Sequence, residues 1–226
     1  MSSDTLTRPD DVALSMGHIA LHYGKAEDGP LAARLMTLLG FTETQMLPLP
    51  NGNFYRFVVD NAHFARGDGI IYLSALTEAQ MKLIDAINEN LGVGTEGEHP
   101  AVQGMRDALA TDPEASFHFG FLVKSLEELE ERILTLQELA DSDPELKGRV
   151  RIGMNRARPG DAEVDARLDA SPLFGNVTRF AYGSAGVQVF VITDILKASQ
   201  LGDHAILEFD YVFPGREQHI LSVVEL

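Results

Sequence analysis

Apolar and polar positions alternate in short runs along this chain, and helical patterns interrupt the runs in a repeating order. From Gly17, "GHIALHYG" alternates as a strand does. In "DGPLAARLMTLLGF", which follows, Leu31, Leu35 and Leu38 or Leu39 share one helical face. Pro30 suits the first turn of that helix, and Gly40 stands where a C-cap glycine would. Next come "TETQMLPLP", a turn at Asn51-Gly52-Asn53, the strand-like "FYRFVVDNAHF", a turn at Gly67-Asp68-Gly69 and "IIYLSAL". The order is β-α-β-β-β, and "TEAQMKLIDAINENLG" adds a helix with Thr77 as its N-cap.

The order recurs from Ser116. "FHFGFLV" reads as a strand, and Ser125 with Glu128 opens the helical "LEELEERILTLQELA" as a capping box. "RVRIGMNRA" is a strand, a polar excursion runs from Arg158 to about Asn176, and "VTRFAYG" and "GVQVFVITDI" form two strands across a Ser184-Ala185-Gly186 turn. The expected organisation is a polar tail over 1–15, a first unit with its helix over 16–92, a connector over 93–115, and a second unit over 116–195. An additional C-terminal β-hairpin over 196–226 is built from "AILEFDYVF", a "PGREQ" turn and "HILSVVEL". The fold class is α+β: two βαβββ repeats forming a curled mixed sheet around a cavity, plus the hairpin.

Alternation tells which side chains such a cavity would collect. In the first strand Ile19, Leu21 and Tyr23 point one way and His18, Ala20 and His22 the other; in the second unit His118, Gly120 and Leu122 lie opposite the greasy Phe117, Phe119, Phe121 and Val123. Both leading histidines fall on the face away from the helix. In "AILEFDYVF", Glu208 and Asp210 lie opposite Leu207, Phe209, Tyr211 and Phe213.

Composition narrows the function classes. The 226 residues are 45% hydrophobic and 23% charged, as in an ordinary water-soluble globular protein. No apolar run reaches the roughly 18 to 20 residues that cross a bilayer, and the N-terminal stretch lacks the layout of a secretory signal. With no cysteine there are no disulfides, zinc–thiolate sites or thiol nucleophiles, which fits a cytoplasmic location. A net charge of −16 argues against nucleic acid or an anionic membrane as partner. The dense basic run in this acidic chain is Arg149, Arg151, Arg156 and Arg158, where two arginines on one strand face could steer a carboxylate or phosphate.

The openings "GHIALHYG…LLGF" and "FHFGFLVKSLEELEERI", with the element order around them, resemble the vicinal oxygen chelate superfamily over roughly Gly17 to Ile195. That group takes in glyoxalase I, extradiol dioxygenases and the fosfomycin- and bleomycin-resistance proteins. The resemblance implies a divalent metal (Fe, Mn, Ni or Zn) held by His18 and His118, which would bind two adjacent oxygens of a catechol-like or 2-oxo substrate. It also implies a carboxylate from the last strand of a unit, about four residues after a turn glycine. Counting from Gly69 and Gly186 gives Leu73 and Phe190, neither of them a ligand. Glu208 is then the candidate third ligand, with His22, Tyr72, Gln188 and Arg179 as substrate-binding candidates.

Three readings follow: a metal-dependent dioxygenase, lyase or isomerase; a metal-free binder of a small molecule, of bleomycin-resistance type; and a dimeric structural or regulatory protein whose cavity its own side chains fill. A homodimer is the expected assembly. The missing carboxylates in the two counted positions favour the second reading, and the superfamily's habits favour the first.

Overall fold

The computed structural model describes residues 16–64, 67–181 and 185–216. The expected polar tail and the second strand of the expected hairpin lie outside them. The first half runs β1 (His18–Tyr23), α1 (Gly29–Leu38), β2 (Thr42–Leu47), β3 (Phe54–Val58), α2 (Asn61–Phe64), β4 (Ile70–Ala75) and α3 (Glu78–Leu91). The connector carries α4 (Pro100–Thr111), and a one-turn 3-10 helix at Pro113–Ala115 follows it. The second half runs β5 (Phe119–Leu122), α5 (Leu126–Ser142), β6 (Val150–Asn155), α6 (Ala162–Asp169), β7 (Gly186–Thr193), β8 (Leu196–Lys197) and β9 (Ala205–Val212).

Local chemistry sets the helix starts. The Thr77 hydroxyl accepts the Gln80 amide N–H at 3.2 Å while the Gln80 side chain takes the Thr77 N–H at 2.9 Å, a reciprocal pair that satisfies two otherwise orphan donors. Ser125 accepts from the Glu128 N–H at 3.2 Å at the head of α5. Pro30 lies in the first turn of α1 as expected.

The fold is mixed α+β, but among the described residues the strands form two sheets, ordered β2-β3-β4-β1-β8 and β5-β9-β7-β6, and not one curled sheet. In each the first strand of the half runs parallel to a later one, β1 with β4 and β5 with β9. Neither sheet closes into a barrel. The first strand of the expected hairpin, β9, is not an addition beside the second sheet: it lies inside that sheet, between β5 and β7. Its residues Ala205 to Phe209 are all buried, because a central strand is covered on both faces. "VTRFAYG" is also not a paired strand among the described residues; only Phe180 bridges to Arg156. The polar excursion is not loop alone, since α6 forms within it.

One core joins the halves. The inner face of α1 (Leu35, Met36) with its cap Leu39, and that of α5 (Leu129, Ile133, Leu136), belong to one buried cluster with Phe57, Leu73, Val189 and Leu207 of both sheets. Each such side chain contributes about 1.5–3 kcal/mol by leaving water. Phe121 packs against Phe41 and Phe209 at 4.8 and 5.6 Å between ring centres. At the edge, β8 pairs with β1 and so attaches a strand of the second half to the first sheet. No helix among the described residues is long and apolar enough to cross a membrane.

The end of α1 makes a testable junction. Gly40 has φ +94°, and the Arg132 guanidinium of α5 lies over it while donating to the Leu39 carbonyl at 3.0 Å. A side chain at 40 meets both the left-handed backbone and that guanidinium. Gly40→Ala is expected to lower stability by about 1–2 kcal/mol in urea titration, with the slope unchanged.

Candidate functional site

The second sheet has one face in the core and one turned away from α5. Cross-strand partners share a face, so the register assembles the second one: Gly120 beside Glu208, Glu208 beside Phe190, Gln188 between Asp210 and Asn155, and Ile206 beside Ile192. The strand alternation that sends Leu207 and Phe209 into the core sends Glu208 and Asp210 here. Glu208 is only 5% exposed. A water-facing polar strand edge is thus not what this stretch forms.

Gln188 is the hub of the polar groups. Its amide Nε2 donates to Glu208 Oε1 at 2.8 Å and to Glu114 Oε1, and its Oε1 accepts from Asn155 Nδ2 at 3.1 Å. His118 completes the set. Its Nδ1 faces the Ser116 carbonyl at 2.8 Å, and a carbonyl only accepts, so Nδ1 carries hydrogen. Its Nε2 stands 3.0 Å from Glu208 Oε2, so ring and carboxylate are in direct polar contact.

Asp210 sits next to this pair and is also hydrogen-bonded to Glu208, while its Oδ1 is buried with no partner. Burial, then the charge of Glu208 and the bond to it, push the Asp210 carboxyl up to about 8. At neutral pH Asp210 holds a proton. Burial raises Glu114 as well, against the lowering effect of its bond from Gln188.

The middle of this face is filled. Leu109 of α4 packs with Phe190, Ile192 and Ile206 as a small separate cluster. Beside it a cleft of about 340 Å³ stays open. Gln188 and Asp210 line it, with Gly120 and the apolar Leu122, Ala185 and Val212. On the cleft itself one carboxyl and one amide, those of Asp210 and Gln188, stand among apolar walls and can hold a donor or cation; the His118–Glu208 pair, joined to both through Glu208, is oriented by the Ser116 carbonyl.

The chain resembles some known proteins only in outline. No protein-family model and no curated protein matches it. Among solved structures it is similar to one described as a possible glyoxalase from Bacillus cereus, at 11% identity, covering 87% of this chain and 97% of that one with a TM-score of 0.34. It is also similar to one described as a putative glyoxalase superfamily protein from Ralstonia eutropha JMP134, at 12% identity, covering 86% and 71% with a TM-score of 0.21. Likeness at this level carries no chemistry; the side chains have to supply it.

Of the residues expected from sequence, His118, Glu208 and Gln188 come together. His18 lies on the first sheet, its ring 4.9 Å from that of Tyr72, which in turn packs on Phe54. His22 Nδ1 is 3.3 Å from the Ser74 hydroxyl on the same sheet. Arg179 donates to the Thr111 carbonyl at 2.5 Å, tying the end of α4 to the chain before β7.

The implied metal can be tested against the donors. Among the described residues no three His, Asp or Glu side chains gather as the ligands of an ion would. The two donors that do meet, His118 Nε2 and Glu208 Oε2, face each other, and the amide of Gln188 turns its N–H groups, not its oxygen, to the carboxylates. That donor set does not fit a divalent ion, which takes at least three protein ligands in sites of this class.

Three residues were missed. Asp210 had a signal, since it lies two residues from Glu208 on one strand face. Asn155 required the β6–β7 register. Glu114 had none: it sits in the connector, and only the chain path brings it to Gln188.

Proposed function

We propose that the cleft beside Asp210 and Gln188 binds, without a metal, a small and largely apolar molecule that carries a basic or hydrogen-bond-donating group. The observation that carries this is the Asp210 carboxyl, half-buried on an apolar cleft with one oxygen lacking any partner. A buried acceptor left bare costs about 1–3 kcal/mol, and Asp210, which lines the cleft, is the acidic group that a ligand N–H would meet there. Leu122, Ala185 and Val212 would take the apolar body, and Gln188 would fix Glu208, whose bond to Asp210 keeps that carboxyl in place on the cleft.

The binding has a defined pH dependence. A cationic ligand needs Asp210 ionised, and below about 8 the group holds a proton. Affinity for an amine therefore rises with pH, by up to about tenfold per unit, and levels off above 8. Benzylamine, protonated over most of this range, is a suitable probe. Titration calorimetry is expected to give tighter binding at pH 8 than at pH 6, at least tenfold weaker binding to Asp210→Asn, and no change on adding EDTA. At ten times Kd the ligand should add about 1.4 kcal/mol of stability. Absence of benzylamine binding, or equal binding by Asp210→Asn, rejects the proposal, and loss of binding with EDTA points to the metal-dependent alternative.

A further inference from the structure

At the far end of β7 from the acidic cleft lies a second one, of about 270 Å³, between α4, the starts of β6 and of the loop after β8. It shares no lining residue with the first. Three arginines line it, Arg106, Arg149 and Arg151, together with His204. Its apolar lining comes from Met105, Leu109, Ile192 and Leu201. In a chain of net charge −16, such a gathering of cations around an apolar floor stands against the overall field.

The acids present here are already engaged. Asp194 accepts from Arg149 Nε at 2.8 Å, and Glu98, outside the cleft, accepts from Arg106 Nη1 at 2.6 Å. Asp203 accepts from the Ser199 hydroxyl and faces His204 Nδ1 at 2.8 Å. Burial alone would raise Asp203, but those two bonds outweigh it and hold the carboxyl below the ordinary range. Each paired arginine uses one of its five N–H donors in these contacts, and the Arg151 guanidinium has no hydrogen bond or ion pair among the described residues. Arg151 stands opposite Ile192 in the β6–β7 register, so its guanidinium and the apolar floor belong to one sheet face.

We infer that this cleft is a binding site for a small carboxylate with an apolar body, gripped by Arg151 with Arg149 and seated on Met105, Leu109 and Ile192. A guanidinium fork matches a carboxylate in two parallel bonds, which a single hydroxyl or amide cannot reproduce. The volume lies at the lower edge of ligand pockets, roughly 300 Å³ and above, and so suits one ring or a short branched chain. The site is independent of the amine-binding cleft, and the failure of either leaves the other standing.

The test uses the full chain carrying 13C-methyl methionine, with benzoate as probe and benzamide as its neutral counterpart, at constant ionic strength. The Met105 methyl resonance, assigned through Met105→Leu, is expected to shift saturably with benzoate at millimolar concentrations and not with benzamide. Arg151→Gln, an exposed change that leaves the other methionine resonances in place, is expected to weaken benzoate at least tenfold. Inorganic phosphate at the same concentration is expected to shift Met105 less than benzoate, because it leaves the apolar floor uncovered. No saturable shift with benzoate, an equal response to benzamide, or unchanged affinity in Arg151→Gln overturns the inference.

Discussion

Replacing Asp210 with asparagine is expected to stabilise the protein by about 2 to 3 kcal/mol at pH 9, and by less than about 1 kcal/mol at pH 5. The sign follows from where the proton sits. In the unfolded chain Asp210 ionises near its ordinary value of about 3.9. In the folded chain burial and the charge of Glu208 move it to about 8. Between those values the folded state binds the extra proton, so stability falls steadily as pH rises through the window and is flat above it. The whole interval at about 1.4 kcal/mol per tenfold is an upper bound; partial exposure and relaxation of the cleft cut it roughly in half. Asparagine keeps a donor for Glu208 and removes the titration. Urea midpoints for both proteins between pH 5 and 9 measure this, and parallel curves would show that Asp210 ionises normally.

The second large effect lies away from the cleft. Glu130 of α5 is buried and accepts from Arg167 of α6 at 3.0 and 2.7 Å, and from the Ser171 hydroxyl. Ser171 Oγ in turn accepts the Phe174 N–H at 2.9 Å, which closes the chain after α6. Glu130→Ala strands a guanidinium and a hydroxyl together, and is expected to cost about 3 kcal/mol at pH 7. Burial would raise the Glu130 carboxyl, but the bonds from Arg167 and Ser171 outweigh it and hold it below the usual range. Its stabilisation is therefore present above about pH 4.3 and lost as pH falls through the lower folded value, so the gap between wild type and variant narrows in acid. The double variant Glu130→Leu/Arg167→Met, which removes both charges for apolar groups of similar length, should regain most of the loss. If it does not, the contribution lies in packing of α6 and not in the ion pair.

Both predictions rest on residues whose types were plain in the sequence but whose neighbours were not. The acidic composition of Glu127, Glu128 and Glu130 reads as a solvated helix face. Burial of Glu130 depends on α6, a helix inside a stretch whose polar residues and glycine suggest loop. Its N-cap, Asp161 accepting from the Glu163 and Val164 N–H groups, was a legible signal in a short segment with weak periodicity.

What the sequence by itself determined is local and periodic. Caps at Thr77 and Ser125 set helix starts, Gly40 ended α1, and period-two alternation put His118, Glu208 and Asp210 on the faces away from the core. These follow from backbone donors, allowed dihedrals and strand geometry within a few residues, which any fold must obey. Tertiary structure alone decided that β9 enters the second sheet beside β5, which turns Glu208 from a hairpin residue into the partner of His118. It also decided that His18, though matched to His118 in position, stays on another sheet with Tyr72, and that the connector brings Glu114 to Gln188. Strand order and register join residues 50 to 100 positions apart, and the free energy that selects them is the burial of whole faces in the shared core, which no local pattern contains.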